Sequence, residues 1–338
     1  MKRTLWLLVA GLFAVLAIPV MLGGRDLLHL LPGFPPGIFA LMLGMVLLCW
    51  LLNGAKLRVL LAGRAGEMGL MRATGTVMAT EFAICATPGG SGGPLTLIAL
   101  LTRRGVRPAQ TTAIFAVDQI IDLLFFLCSM IAMMIYVITR SIDARLGWML
   151  VLPMTLLCLA LLGVVLMGRY HRRFLVVSGR LLSKMKVSPR LQQTMVRRIL
   201  IFKKAFTETL RLPRSALALA FGLGIVHWIV RYSILFVTLY GLNQHLDWAW
   251  TFLVQMLSMA AGQLTLLPGG AGGAELSSSA LLAPMVGQST AAAAILIWRA
   301  VTYYFYLIAG APVFMLMAGR PLLKKVFEGR KAEKPSDL

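Results

Sequence analysis

Charge is what this sequence has least of. Asp, Glu, Lys and Arg make up 13% of the 338 residues, where a soluble domain carries about 25%. That shortfall leaves too little polar surface to cover a folded globule in water. Acid is scarcer still: 12 Asp and Glu stand against 33 Lys and Arg, a net charge of +21. The four cysteines, Cys49, Cys85, Cys128 and Cys158, all lie in apolar stretches, which argues against a disulfide framework. The four histidines, His29, His171, His227 and His245, lack metal-ligand spacing, so no metal and no cofactor is expected. The absence of a phosphate-loop lysine motif argues against an intrinsic ATP-driven pump. Gly89 to Gly93 satisfies the pattern Gly-x-Ser-x-Gly, but nothing strand-like precedes it, as a nucleophile elbow requires.

What the chain has instead is long apolar runs, with 59% of its residues hydrophobic. Thr4 to Gly23, Gly37 to Leu52, Ala109 to Ile138, Leu146 to Met167, Ala216 to Leu242 and Ala291 to Ala318 each approach or exceed the roughly 18 residues that cross a bilayer. The class is an all-α polytopic membrane protein. Its basic residues cluster at the N-terminus, from Lys56 to Arg72, from Arg103 to Arg107, from Arg169 to Arg214 and beyond Arg320. Such one-sided clustering is the positive-inside pattern, favoured by anionic lipid surfaces, and it makes nucleic acid the weaker partner. Met1-Lys2-Arg3 and its apolar run resemble a signal peptide, but the run is long and lacks a small-x-small cleavage site. It reads as a retained first helix with the N-terminus inside.

Following the chain from there gives six spans and two interrupted segments. The first, Gly69 to Thr102, is broken at Thr87-Pro88-Gly89-Gly90-Ser91-Gly92-Gly93-Pro94, and the second, from Trp248 to Gly287, at Leu267-Pro268-Gly269-Gly270-Ala271-Gly272-Gly273-Ala274-Glu275. Each arm is too short to cross about 30 Å at 1.5 Å per residue, so each segment reads as a re-entrant hairpin. The hexamers beginning at Pro88 and Pro268 match, and Gln110-Thr111-Thr112-Ala113 matches Gln288-Ser289-Thr290-Ala291. The reading is one domain over 1–320, with an inverted repeat of 37–138 and 215–318, a basic inner loop over 169–214, and a basic inner tail over 321–338 without fixed structure. Transporters use this plan to build a site near the bilayer midplane. The bland alternative is a pair of kinked hairpins that use glycine only to pack closely.

Inside the apolar stretches lie Glu81, Asp118, Asp122, Arg231, Glu275 and Arg299, with His227 beside them. A charge at the bilayer centre costs roughly 2.5–3.5 kcal/mol on insertion scales, so these groups must face one another or water. Asp118 and Asp122, His227 and Arg231, and Arg299 and Tyr303 are each four apart and share a helix face. The functional expectation is that Arg231 and Arg299 bind a phosphate-bearing headgroup while the acids pair with them and relay protons. The alternative is a set of structural ion pairs holding helices together. The stretch from Arg169 to Arg214, with one acid, Glu208, alternates basic with apolar residues. It reads as an amphipathic helix on anionic headgroups or as a plain positive-inside loop.

With these motifs in hand, the chain resembles the flippase-like integral membrane family, whose best-known member domain is the flippase half of bacterial lysyl-phosphatidylglycerol synthases. The resemblance rests on the Thr87 to Pro94 break with Asp118 and Asp122 downstream, and on the Leu267 to Glu275 break followed by Gly287 and Arg299. It implies a lipid transporter, not an enzyme, in a bacterial cytoplasmic membrane, where the charge pattern along the chain puts both termini inside. It also carries over Glu275, Arg299, Asp118 and Asp122 as site residues. Membrane lipids are the expected partners, and room is left for a homo-oligomer or a pathway enzyme. No aminoacyltransferase domain follows Ala318, so headgroup synthesis is not expected. The first break has Pro94 where the second has Ala274-Glu275, and so lacks a matching acid. The runner-up is a membrane-embedded enzyme or subunit acting on phospholipid or polyprenyl-phosphate substrates.

Overall fold

Helix and turn account for the whole architecture among the residues described by the structure, a computed structural model: 2–24, 26–139, 189–328, and 151, 155–156, 158–159, 161–163 and 166. The helices are α1 (Lys2–Gly23), α2 (Asp26–Leu30), α3 (Pro36–Leu61), α4 (Leu70–Ala86), α5 (Gly92–Thr102), α6 (Pro108–Thr139) and α7 (Pro189–Leu210). They continue as α8 (Arg214–Tyr232), α9 (Ile234–Gly241), α10 (Trp248–Leu264), α11 (Gly273–Val286), α12 (Gln288–Arg299) and α13 (Phe305–Glu328). Among the described residues, five helical stretches are long and apolar enough to cross a membrane: Trp6–Gly23, Pro36–Leu61, Pro108–Tyr136, Arg214–Gly241 and Gln288–Met317. They correspond to five of the six expected spans. The sixth, 146–167, lies largely outside the described residues, as does 169–188 of the basic loop. The chain is a multi-pass membrane protein.

Both interruptions fall where the sequence places them. Pro88 and Pro268 hold the preceding residue extended, with Thr87 at φ −125°, ψ 146° and Leu267 at φ −75°, ψ 152°. One turn of 3₁₀ helix follows, and its second and third residues are left-handed: Gly89 and Gly90 at φ 58° and 68°, Gly269 and Gly270 at 64° and 68°. A side chain there costs roughly 1–2 kcal/mol. The arms flanking the first break have 17 and 11 residues, about 26 and 17 Å of rise. Those flanking the second have 17 and 14. The tips touch: the Gly89 N–H donates to the Leu266 carbonyl at 3.1 Å.

Close helix crossings fix the arms in place. A Cβ on Gly54 of α3 would stand 2.8 Å from the Thr74 nitrogen of α4, so only glycine lets these two helices meet. α3 also packs along α8, and α4 along α13. The main core joins the two repeats through Trp50, Phe125, Leu253, Trp298 and Tyr306. A second cluster, Leu57, Leu60, Leu61, Val117 and Ile121, fills the end of α3 and the facing part of α6.

The helices depart from the sequence reading at four points. The run from Ala216 to Leu242 is not one helix: α8 ends at Tyr232, and Ser233 separates it from α9. The last span contains a π-helical turn, Ala300–Tyr304, directly after Arg299. The second helix does not give way to a basic boundary at Lys56 but continues to Leu61 with Lys56 turned inward. α13 runs on to Glu328, past a non-helical Gly319 (φ 64°), into the segment expected to lack structure. α7 is the amphipathic helix foreseen in the basic loop. It packs on α6, buries Ala205 and Thr209, and receives a 2.8 Å hydrogen bond from Arg64 to Thr209.

The break geometry makes a direct prediction. At Gly269 a Cβ would both enforce the left-handed strain and overlap the Tyr303 ring. Gly269→Ala should therefore lose more than the roughly 1–2 kcal/mol of backbone strain alone. Gly44→Ala, on a helix position with open space around it, should be neutral or stabilising by about 1 kcal/mol. Thermal unfolding of both variants in one detergent checks the contrast.

Candidate functional site

Among the described residues, three buried ionic groupings line the interior, and each is set up by a different pair of elements. The first holds the second break together. Glu275 is the third residue of α11 and is completely buried. Its Oε2 accepts the Gly272 N–H at 2.6 Å, and its Oε1 forms an ion pair with Arg299 Nε at 2.6 Å. Arg299, 1% exposed, also donates from Nη1 to the Gly269 carbonyl at 3.1 Å and from Nη2 to Gly270 at 3.4 Å. Its guanidinium lies 4.9 Å from the Trp298 ring centroid and 5.9 Å from that of Tyr303. Every end of the arginine is therefore spent on the non-helical backbone and its capping acid, which lipid tails could not satisfy. Tyr303 packs against the same break, and its buried hydroxyl has no partner among the described residues.

The second grouping centres on Arg231 and Glu81. Arg231 Nη1 lies 3.6 Å from Glu81 Oε2 and donates to the Tyr306 hydroxyl, with the guanidinium 4.8 Å from the Tyr306 ring centroid. Glu81 accepts further bonds from Trp50 Nε1 at 3.3 Å and Asn53 Nδ2 at 3.2 Å. Asn53 Nδ2 is also 3.4 Å from His227 Nε2, while His227 Nδ1 is 3.2 Å from the Cys49 carbonyl. Both charged side chains keep 16% exposure, so this grouping is less sealed than the first. The Asn53 Oδ1 beside it has no partner among the described residues.

The third grouping belongs to a residue the sequence reading placed elsewhere. Lys56, 3% exposed, sends its Nζ to Asp118 Oδ1 at 2.8 Å and Asp122 Oδ1 at 2.9 Å. Trp228 Nε1 adds a second donor to Asp122 Oδ1 at 2.9 Å. Asp118 and Asp122 do share a face, as their spacing requires. They answer to this lysine, however, and not to the arginines. The expectation that the acids pair with Arg231 and Arg299 holds for Glu81 and Glu275 and fails for these two.

The second and third groupings run into each other. Asn53 and Lys56 sit three apart on α3, and Arg231 lies 5.9 Å over the Trp228 ring whose N–H reaches Asp122. A polar corridor thus follows the α3–α8 contact. By helix rise, Lys56 lies about 8 Å from the Leu61 end of α3, and Glu81 about 17 Å into α4. Arg299 stands apart, behind the second break. Sequence reasoning missed Lys56, Asn53, Trp228 and Tyr306. It also missed Thr87, which caps the first break: its Oγ1 accepts the Gly92 N–H at 2.8 Å and donates to the Ala83 carbonyl at 2.6 Å. The absent acid of the first repeat is thereby replaced by a hydroxyl. An open groove of about 540 Å³, lined by Leu22, Leu276, Ser279, Ala283, Pro284 and Gln288, touches none of these charges.

Comparison with known families gives one match: the family described as the lysylphosphatidylglycerol synthase TM region, over residues 6–310. No curated protein matches the chain.

Proposed function

The chain belongs to the lysylphosphatidylglycerol synthase TM-region family, and on that footing we propose that it moves an amphipathic lipid with an anionic or phosphate-bearing headgroup between leaflets. The observation that carries this reading is the contact of the two interrupted hairpins, tip to tip, beside a corridor of buried charge. Non-helical backbone and ionic side chains are costly in hydrocarbon and persist where they line a polar passage. Headgroups would follow the corridor while acyl chains stay between apolar helices.

Arg231 is the headgroup contact in this scheme and Arg299 is not. Arg231 is the more exposed of the two and makes its polar side-chain contacts through Nη1 alone. Arg299 is committed to the second break. The reading also places the chain in a bacterial cytoplasmic membrane with both termini inside and the exposed basic and apolar residues of α7, such as Leu200 and Ile201, against anionic headgroups.

The test is transbilayer movement of fluorescent anionic and zwitterionic phospholipids in reconstituted vesicles. Wild type should accelerate the anionic probe over protein-free vesicles. Arg231→Gln should slow it by about 10- to 100-fold, the equivalent of one charged hydrogen bond of roughly 1.5–3 kcal/mol, and Arg231→Gln with Glu81→Gln, which leaves no stranded acid, should be as slow while eluting and melting as a folded protein. A folded wild type that moves neither probe, nor any lipid that copurifies with it, would sink the reading.

A further inference from the structure

The ionic groups that the described helices turn into the interior do not balance, Arg58, Arg72 and Arg214 on the same helices being exposed. The acids are Glu81, Asp118, Asp122 and Glu275; the cations are Lys56, Arg231 and Arg299. The expected span over 146–167, largely outside the described residues, contains no charged residue in its sequence. Glu275 with Arg299 and Glu81 with Arg231 are one-to-one pairs. The surplus negative charge therefore sits at Lys56, where one ammonium faces two carboxylates.

The two carboxylates are not equivalent. Asp122 receives Lys56 and the Trp228 N–H on the same oxygen, and its side chain is 15% exposed. Asp118 receives Lys56 alone and is 28% exposed, the most open of the four acids. A carboxylate with fewer donors loses least by taking up a proton. A surplus charge in a low-dielectric interior is the charge most favoured to be neutralised.

We infer that Asp118 is a proton-binding site: water at the inner end of the corridor supplies a proton to the Asp118 oxygen turned away from Lys56, and Lys56 stays paired with Asp122. The surrounding groups are compatible. From α3 comes Lys56, from α6 itself Asp122, from α4 Glu81, and from α8 His227, Trp228, Arg231 and Tyr232. The other helices packed on α6 are α5, α7 and α10. α5 and α10 carry no ionisable side chain. On α7 the described charged side chains are Arg197, Lys203, Lys204 and Glu208, and no contact joins them to Asp118. Protonation leaves the interior with equal numbers of acids and cations, and release restores one negative charge, so the site can couple proton movement to passage of an anion. That role, though not the site, rests on the transport reading.

Infrared difference spectroscopy of the whole protein in nanodiscs, titrated with acid and alkali, reads the site without any transport. Wild type should show a protonated-carboxyl band that shifts in heavy water. Asp118→Asn should lose it, while Asp122→Asn, which leaves Asp118 as the one carboxylate on Lys56, should keep it only at more acid pH, each variant eluting and melting as a folded protein. A band that persists in Asp118→Asn, a wild type with no such band, or a band abolished by added sodium would each overturn the inference. In vesicles, a one-unit pH gradient should change the wild-type rate by up to about tenfold and leave Asp118→Asn unaffected. A gradient-insensitive wild type would overturn the coupling. The band lost in Asp118→Asn, with no lipid moved by wild type, would uphold the site and remove the lipid reading.

Discussion

Lys56→Met should be among the most damaging single substitutions in the chain. It leaves Asp118 and Asp122 facing each other without a cation, in a setting where removing one partner of a buried pair costs about 3–5 kcal/mol. The expected result is loss of the monodisperse protein, or a fall in unfolding free energy of that size. Neutralising the whole group should reverse it. Lys56→Met combined with Asp118→Asn and Asp122→Asn removes every charge, and replacing a complete buried group is often neutral. Unfolding of single and triple variants in one detergent measures both. If the single variant is as stable as wild type, the lysine does not bear the burden assigned to it here.

Arg299→Gln should have an effect of similar size for a different reason. The arginine answers the Glu275 carboxylate and two carbonyls of the second break. Removing it strands a fully buried acid, again at about 3–5 kcal/mol, and unpins backbone that no helix supports. Glu275→Gln with Arg299→Gln should recover part of the loss, because the buried charge goes while the two carbonyls stay underserved. The same variants separate the two roles considered for Arg299. If the arginine only holds the break, the stabilised double variant keeps measurable lipid movement. If it also grips the headgroup, movement vanishes although the protein is folded.

Much of this was legible in the sequence because an ionisable residue inside an apolar run is conspicuous. Glu81, Arg231, Glu275 and Arg299 stood out on that ground, and the structure joins them in pairs. The breaks were legible because Pro-Gly-Gly states its backbone requirement outright. Lys56 was not, since it lies two residues before Arg58 at the end of a span and looked like part of the same inner boundary. Residues two apart on a helix do not face the same way, and here Arg58 is exposed while Lys56 is buried. Neither the stop at Ser233 nor the π-helical turn after Arg299 has a Pro or Gly to announce it; both depend on packing. Asp118 and Asp122 were placed on a common face correctly, yet their partner could not be found without knowing which helix lay opposite.

The two caps have a consequence for motion. On the transport reading with an inverted repeat, alternating access amounts to the two halves exchanging shapes, and equal halves would make the inward-open and outward-open forms nearly equal in energy. These halves are unequal. One tip is tied by the two hydrogen bonds of a neutral threonine hydroxyl; the other is tied by a carboxylate and a guanidinium with no exposed surface to spare. On the transport reading proposed above, the hairpin of α4 and α5 would be the one to swing against the hairpin of α10 and α11, and the two access states would differ in energy.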